Sequence, residues 1–336
     1  MVLILSHSSQ DYPSECVHDW LCAMGIPCRR VNGADLVGLS GFSISMSSKK
    51  QLYQWSGHDL NVDEVSVVWV RRWMDFAYFD AIGLPDDGGE DLAGEIRSYR
   101  QSEFRGLSHY FFNLLKDKPS LGSWFYSGKD PSKAQQLLLA ADAGLAIPDT
   151  ILTDSRQHLE AFMNEHPKII CKNISEIGFF RFSGRGLATY TAVIGREDLA
   201  DIPDTFYPSL FQEAIEKQFE IRVFVLGEEL YSMAIFSSDD SQTEVDFRRY
   251  NYARPNRTVP INLPSPVAGK IREFMRRAGL ETGSLDLIYS RTGEYYFLEV
   301  NPGGQFSMVS IPCNYHLEKK VAEYLVKKST HVQRTN

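Results

Sequence analysis

No stretch of the chain is apolar for long enough to span a membrane. The opening run, MVLILSHSSQ, is far shorter than a span or an export signal needs; it reads as a first β-strand, and the expected compartment is the cytoplasm. Cysteine is scarce and odd in number, five in all, which disfavours a disulfide framework and fits a reducing compartment. Cys16, Cys22 and Cys28 recur every six residues, which is not a common metal spacing, and the eight histidines include no HxxxH or HxH pair, so no zinc site is expected. The first strand is not followed by GxGxxG, and GxxxxGK[ST] does not occur, which excludes a dinucleotide fingerprint and a P-loop. Positive charge is in deficit: the formal net charge is -8. A surface of that sign repels nucleic acid and anionic lipid, so neither is an expected partner. Yet Arg248, Arg249, Arg254 and Arg257 crowd into ten residues and Arg71 and Arg72 form a pair, local basic surface patches that suit a small or acidic substrate. There is no internal repeat and no low-complexity tract.

What is present suits a globular protein of more than one module. The 336 residues, 43% hydrophobic, exceed one ordinary core. Residues 2-6, a helix over 13-24 and a strand over 27-31 form a βαβ opening, which predicts a parallel sheet and an α/β class. A strand at 65-70 ends in Arg71-Arg72, and apolar spacing from Leu92 to Leu114 predicts a long helix over 91-115. Asp130 as N-cap, Pro131 in the first turn and Gly144 past the end predict a helix over 131-144. From Leu210 the pattern is rich in strands, with helices at 265-279 and 316-328. Borders fall near residues 125 and 208, giving parts 1-124, 125-207 and 208-336.

The segment SLDLIYSRTGEYYFLEVNPGG, residues 284-304, reads as two strands joined at Thr292-Gly293. Counted outward from that turn, Arg291 faces Glu294 and Asp286 faces Glu299. Asn301, two residues on, shares their face, while Leu285, Leu287, Leu298 and Val300 form the core face. Facing carboxylates repel unless a cation neutralises them, and Mg²⁺ takes such hard oxygen ligands. An exposed hairpin with solvated acids has the same sequence; the Pro-Gly-Gly after Asn301 favours close approach to a ligand.

Lys133 sits in a first helical turn, where a cation opposes the helix dipole unless it reaches a phosphate. Lys172 ends the apolar strand IICK before a loop with Gly178, Gly184 and Gly186, a place suited to holding phosphate oxygens. In FQEAIEKQFEIRVFVLG, the break at Gln212 to Ile215 offers backbone groups to an adenine edge. Glu220 and Arg222 share one strand face, an acid for ribose hydroxyls and an arginine for a phosphoryl group. Solvated lysines and an exposed Glu/Arg pair would carry the same residues.

In this order these pieces resemble the ATP-grasp superfamily over roughly residues 125-325. The run EIRVFVLG followed by DFRRYN resembles the branch that ligates amino acids to peptides or proteins. VWVRRW and PGGQFSMVSIPCNYHLEKKVAEYL resemble the graspetide (microviridin-type, grasp-with-spasm) peptide maturases. The resemblance implies an N-terminal α/β pre-grasp domain, a small central domain and a C-terminal grasp domain, with ATP between the last two. It implies phosphate contacts from Lys133 and Lys172, an adenine hinge of Gln212, Glu213 and Ile215, ribose on Glu220, and two Mg²⁺ on Asp286, Glu299 and Asn301. Arg222 and Arg248 would meet the phosphoryl group and the acyl phosphate or acceptor, Arg249 being the neighbouring candidate. The implied reaction phosphorylates Asp or Glu side chains of a ribosomal precursor peptide and joins them to Thr/Ser hydroxyls or Lys amines. That peptide has a leader and a core rich in Thr/Ser and Glu/Asp; the stretch 175-193 is the candidate leader surface, 173-186 the candidate lid, and a homodimer is allowed. Two other readings use the same residues: a ligase adding free amino acids to a peptide or protein, and a non-catalytic nucleotide-binding protein.

Overall fold

A computed structural model of the chain describes residues 1-7, 11-36, 43-46, 51-55, 58-73, 89-124, 131-175, 179-182, 185-189, 191-237 and 255-333. The chain divides into two compact units. The first comprises Met1–Asp130, Pro302–Ser310 and Tyr315–Asn336, and the second Pro131–Asn301 and Ile311–Asn314. Among the described residues, no helix is long and apolar enough to cross a membrane.

The first unit is built on a parallel sheet. Val2–Ser6 lies between Cys28–Asn32 and Val67–Val70, and Ser120–Gly122 pairs with the far side of Val67–Val70. Helix Tyr12–Ala23 links the first two strands, with Pro13 in its first turn and Gly25, at φ +68°, just past its end. Leu3, Leu5, Val68 and Val70 pack with Trp73 and with Phe104, Phe111, Phe112 and Leu115 of helix Gly89–Leu115. Helix Leu317–Gln333 lies against Tyr12–Ala23. The βαβ opening and the long helix are as the sequence predicts. Ser120–Gly122 and the small antiparallel sheet of Ser43–Met46, Gln51–Trp55 and His58–Leu60 were not anticipated. Each is too short for its periodicity to stand out.

Arg71, read from the sequence as half of a surface basic pair, is instead buried, at 2% exposed. Its guanidinium lies 3.8 Å from the buried Asp11 carboxylate, donates to the Gly303 carbonyl and sits over the Phe306 ring. Burial by itself would raise the Asp11 carboxyl. The Arg71 charge, hydroxyl donors Ser14 and Ser6, and Arg72 outweigh it and hold the group below its ordinary value.

The second unit contains two antiparallel sheets. In the four-stranded sheet the order is Ala192–Ile194, Ile169–Lys172, Thr205–Glu213, Thr150–Ser155. Helix Arg156–Glu165 covers one face through Leu159 and Met163, which meet Ile169 and Phe211. Strands Phe179–Phe182 and Arg185–Ala188 form a separate antiparallel pair. The five-stranded sheet runs Arg257–Ile261, Glu229–Phe236, Lys217–Leu226, Thr282–Ser290, Tyr295–Asn301. Period-two alternation puts Ile221, Val223, Val225, Leu285 and Leu287 on one face, against Leu137, Ala140, Ile271 and Phe274 of helices Lys133–Asp142 and Ser265–Arg277. Glu220, Arg222 and Asp286 are thereby left to the opposite face.

The helix expected over 131-144 begins at Lys133, not Pro131. Its N-cap is Ser132, whose Oγ accepts from the Gln135 N–H at 3.4 Å while its own N–H donates to Gln135 Oε1 at 2.8 Å. This reciprocal capping outweighs the Asp-Pro signal two residues earlier. Asp130 lies outside the described residues.

Asp11→Ala should lower stability by about 3 kcal/mol at neutral pH in urea unfolding, because Arg71 would stay buried without its counter-charge. The Asp11 pKa is depressed on folding, so its contribution is complete above the ordinary carboxylate range and declines as pH falls through it. The gap between wild type and variant should therefore shrink in acid; an equal gap at neutral and acid pH would refute the pairing.

Candidate active site

The hairpin Thr282–Ser290/Tyr295–Asn301 is where the sequence puts its most specific chemistry. Asp286 is directly opposite Glu299, as counted from the sequence. The turn, however, is not the expected one. The Ser290 N–H donates to the Glu294 carbonyl and the Gly293 N–H to the Ser290 carbonyl, so Arg291, Thr292 and Gly293 form a three-residue loop, with Gly293 at φ +88°. Ser290, not Arg291, faces Glu294. This shifts the outer half of the ladder by one: Leu287 pairs with Phe297 and Tyr289 with Tyr295. A bulge between Asp286 and Leu287 then absorbs Leu298 and restores the register that pairs Asp286 with Glu299. Two departures cancel. The bulge also corrects the core face: Phe297 is fully buried and packs on Phe274, while Leu298 lines a cavity.

That cavity, of about 280 Å³, is enclosed by residues of both sheets of the second unit and by Lys133. Its size is near the lower bound for small-molecule sites. Lys133, Lys172, Gln212, Glu213, Ile215, Glu220, Asp286 and Glu299 all line it. Arg222 does not: it is cross-strand from Asp286, and its Nη1 donates to both carboxylate oxygens at 2.5 Å. Lys133 Nζ lies 3.3 Å from Glu299 Oε2. Each facing carboxylate thus has a cation from a separate element. Asn301 shares their face, opposite Ser284, but is exposed and does not line the cavity. Arg248 and Arg249, with the rest of DFRRYN, lie outside the described residues; of the basic cluster read there, Arg257 is described and lies over the Phe236 ring.

The helix that carries Lys133 is pinned to the hairpin. Buried Gln136 accepts from the Val300 N–H at 2.9 Å, and its amide donates to the Pro131 carbonyl at 3.0 Å. One side chain therefore sets Lys133 against Glu299. The segment Gln212 to Ile215 differs from the expectation that all four residues present backbone groups. Gln212 is inside a strand, laddered to Thr150 and Ile170, and its side-chain amide donates to Thr150 Oγ1 at 2.9 Å. The Glu213 and Ala214 N–H groups donate to the Asp149 and Lys168 carbonyls. Glu213 turns its carboxylate to the Asp149 N–H and to His166.

Glu220 is nearly buried. Burial raises its pKa, the Asp286 charge adds to that, and the Lys217 ammonium and the Ser237 hydroxyl act against them; the net direction is up. Lys217 Nζ donates to Glu220 Oε1 at 2.5 Å and Ser237 Oγ to Oε2 at 3.2 Å. Lys217, Lys168 and Arg291 also line the cavity and were missed. Lys168 had a readable signal: in KIICK, alternation puts Lys168, Ile170 and Lys172 on the face opposite Ile169 and Cys171, and all three line the cavity.

No family model matches the chain, and no curated protein matches it. Solved structures do. The chain is similar to a Chryseobacterium gregarium RiPP-associated ATP-grasp ligase in complex with ADP and a leader and core peptide, at 23% identity and a TM-score of 0.83, covering 97% of this chain and 96% of that one. It is similar to the macrocyclase MdnC from Microcystis aeruginosa MRC bound with precursor peptide MdnA, at 25% identity and a TM-score of 0.78, covering 97% and 99%. The ATP-grasp ligase PsnB complexed with minimal precursor, Mg and ADP matches at 16% identity and a TM-score of 0.72, covering 98% of each. The fold is therefore that of the ATP-grasp ligases. It is shared by these two ATP-grasp ligases and this macrocyclase, as the sequence resemblance implied.

Gln136→Leu should cost about 1-3 kcal/mol in urea unfolding, the range for a buried N–H left without an acceptor. Gln136→Glu keeps an acceptor for Val300 but, when ionised, loses the donor to the Pro131 carbonyl, so it should cost less than Gln136→Leu only in acid, where the carboxyl is protonated and can donate. Equal losses in acid would show that the Val300 bond is not what matters.

Proposed function

We propose that the chain is an ADP-forming ligase that activates Asp or Glu side-chain carboxylates of a ribosomally made precursor peptide and joins them to Thr/Ser hydroxyls or Lys amines. The products are macrocyclic side-chain esters or amides. The observation that carries this reading is the pair of facing carboxylates, Asp286 and Glu299, in a cavity that also holds Lys133 and Lys172. The likeness to a macrocyclase bound with its precursor peptide, and to ligases complexed with ADP and with Mg, supports it.

The donor set fits a magnesium nucleotide. Asp286 and Glu299 offer the hard oxygens Mg²⁺ takes, and a carboxylate oxygen that accepts from Arg222 keeps further lone-pair capacity. Asn301, on the same face, completes the proposed ligand set. Bound ATP with Mg²⁺ supplies the γ-phosphoryl group that turns a peptide carboxylate into an acyl phosphate, from which phosphate leaves as the hydroxyl or amine attacks the carbonyl carbon. Lys133 and Lys172 hold phosphate oxygens as point charges. Glu299 would hold the cation, and Lys133, now 3.3 Å from Glu299 Oε2, would then turn to the phosphate oxygens. Arg222 acts as a positioning residue for Asp286, and Arg248 is kept as the candidate for the acyl phosphate or the acceptor. Ile215, next to residues whose N–H groups are already taken, presents the hinge backbone to the adenine edge; Glu220 accepts from ribose.

The three-part division read from the sequence gives each part a task. The 1-124 part is the pre-grasp domain, the central part contributes three strands of the four-stranded sheet and the start of Thr205–Glu213, and the C-terminal part contributes the rest of that strand and the five-stranded sheet. The pair Phe179–Phe182 and Arg185–Ala188 belongs to the proposed lid and leader surface. Dependence on ATP and the free cysteines accord with a cytoplasmic setting.

Incubating the protein with its precursor peptide, ATP and Mg²⁺ should lower the peptide mass by one water for each bond formed, with one ADP released. A gain of residue masses would identify an amino-acid ligase instead. Asp286→Asn and Glu299→Gln should each cut turnover by about a hundredfold or more while leaving the fold intact by circular dichroism; turnover surviving both would overturn the assignment. Glu220 must be ionised to accept from ribose, and its pKa is raised. ATP binding should therefore weaken as pH falls, beginning above the ordinary carboxylate range, and Glu220→Gln should flatten that limb of the KM profile for ATP.

A further inference from the structure

Helix Tyr12–Ala23 carries His18 and Cys22 four residues apart, one turn from each other on the same face near the helix end. The chain reverses at Gly25 and enters strand Cys28–Asn32, whose first residue returns to the same spot. Cys22 Sγ lies 3.7 Å from Cys28 Sγ, and 3.8 Å and 3.9 Å from His18 Nδ1 and Nε2. One ligand atom from each of the three residues falls within 4.8 Å of the other two. Nothing in the ligase chemistry uses these residues.

We propose that His18, Cys22 and Cys28 form a binding site for a borderline-soft divalent cation, with Zn²⁺ the best fit. The donors are one imidazole nitrogen and two thiolate sulfurs, the softest set that protein side chains offer together. The spacing suits a shared metal. Two Zn–S bonds of about 2.3 Å at the tetrahedral angle put the sulfurs about 3.8 Å apart, and a Zn–N bond of about 2.0 Å puts nitrogen about 3.5 Å from sulfur. The sulfurs are 3.7 Å apart, close to the first edge, and Cys22 Sγ is 3.8 Å from His18 Nδ1, about 0.3 Å beyond the second. A disulfide would need the sulfurs at about 2.05 Å. The fourth position falls to water, since among the described residues these three side chains are the whole of the converging donor set. Cys22 is exposed, so a cation has a way in. Ligation clips the helix end to the strand it feeds, so bound metal stabilises the first unit.

The spacing H-x₃-C-x₅-C is no standard zinc signature, and the expectation of no zinc site rested on spacing. The helix turn and the reversal at Gly25 bring the three together, which a linear count does not see.

The test uses the full-length, metal-free protein in the presence of a non-thiol reductant, titrated with Co²⁺ alone. One equivalent should produce a sulfur-to-cobalt charge-transfer band, and Zn²⁺ should displace it. The magnesium site offers no sulfur and cannot give that band. Cys22→Ser, Cys28→Ser and His18→Ala should each weaken Co²⁺ binding by more than about tenfold, a loss seen even for outer-shell partners of metals. Cys16→Ser should leave it unchanged. Zn²⁺ should raise the Tm of the wild type and not of Cys22→Ser, whose exposed side chain makes a folded variant the expectation; circular dichroism checks this, and His18→Ala provides a second folded comparison. No sulfur band, a band that persists in Cys28→Ser, or a Cys22–Cys28 disulfide in protein purified under reductant would each overturn the proposal.

Discussion

Two carboxylates held face to face are the constraint around which the second unit is organised. Asp286 and Glu299 are cross-strand partners in a hairpin whose other face is core, so neither can move away without unpacking Leu285, Leu287 or Val300. Like charges at cross-strand spacing repel, and the fold answers with one cation for each. Arg222 reaches Asp286 from the neighbouring strand, and Lys133 reaches Glu299 from the start of a helix. The two pairings are not equivalent. Arg222 and Asp286 are largely buried, whereas Lys133 and Glu299 are each about a quarter exposed. The first pair holds geometry, and the second is the one a metal or phosphate can rearrange.

The surroundings keep that arrangement in register. A Ser132/Gln135 capping box sets where the helix begins, and Gln136 ties its first turn to Val300 beside Glu299. The sheet with Lys172 and the sheet with Asp286 both contribute to the cavity wall, joined through the segment after Glu213, where the Ala214 N–H donates to the Lys168 carbonyl. Charge placed by lysines and carboxylates is what that wall offers, and phosphoryl transfer needs positioning and charge neutralisation more than a nucleophile.

The first unit follows a different logic. Its two central strands are buried on both faces, and the buried Arg71 at the end of one of them is matched by Asp11 and by backbone of the Pro302–Ser310 segment. In the chain, that segment immediately follows the hairpin that carries Asp286 and Glu299. The run PGGQFSM therefore belongs to two tasks: its chemistry in the sequence pointed to a ligand, while Gly303 and Phe306 serve the Arg71 site.

The sequence by itself determined the βαβ opening, the long helices and the identity of the facing acids, because alternation and helical spacing are local and the hairpin is continuous in the chain. It also carried the ATP-grasp resemblance, since the order of short motifs survives where overall identity does not. Tertiary structure decided the rest. The three-residue turn and the compensating bulge place Phe297 against Phe274, so the Asp286–Glu299 pairing matches the count from sequence while the outer half of the ladder, Arg291 and Leu298 do not. Arg222 faces Asp286 because strands 55 or more residues apart in the chain are neighbours in the sheet, and no local pattern encodes that pairing. Arg71 looked like surface charge until a partner from elsewhere in the chain enclosed it. His18, Cys22 and Cys28 came together because a helix and a strand fold back on one another, which residue spacing alone does not convey. Periodicity reports which face a side chain takes; only packing reports what waits on that face.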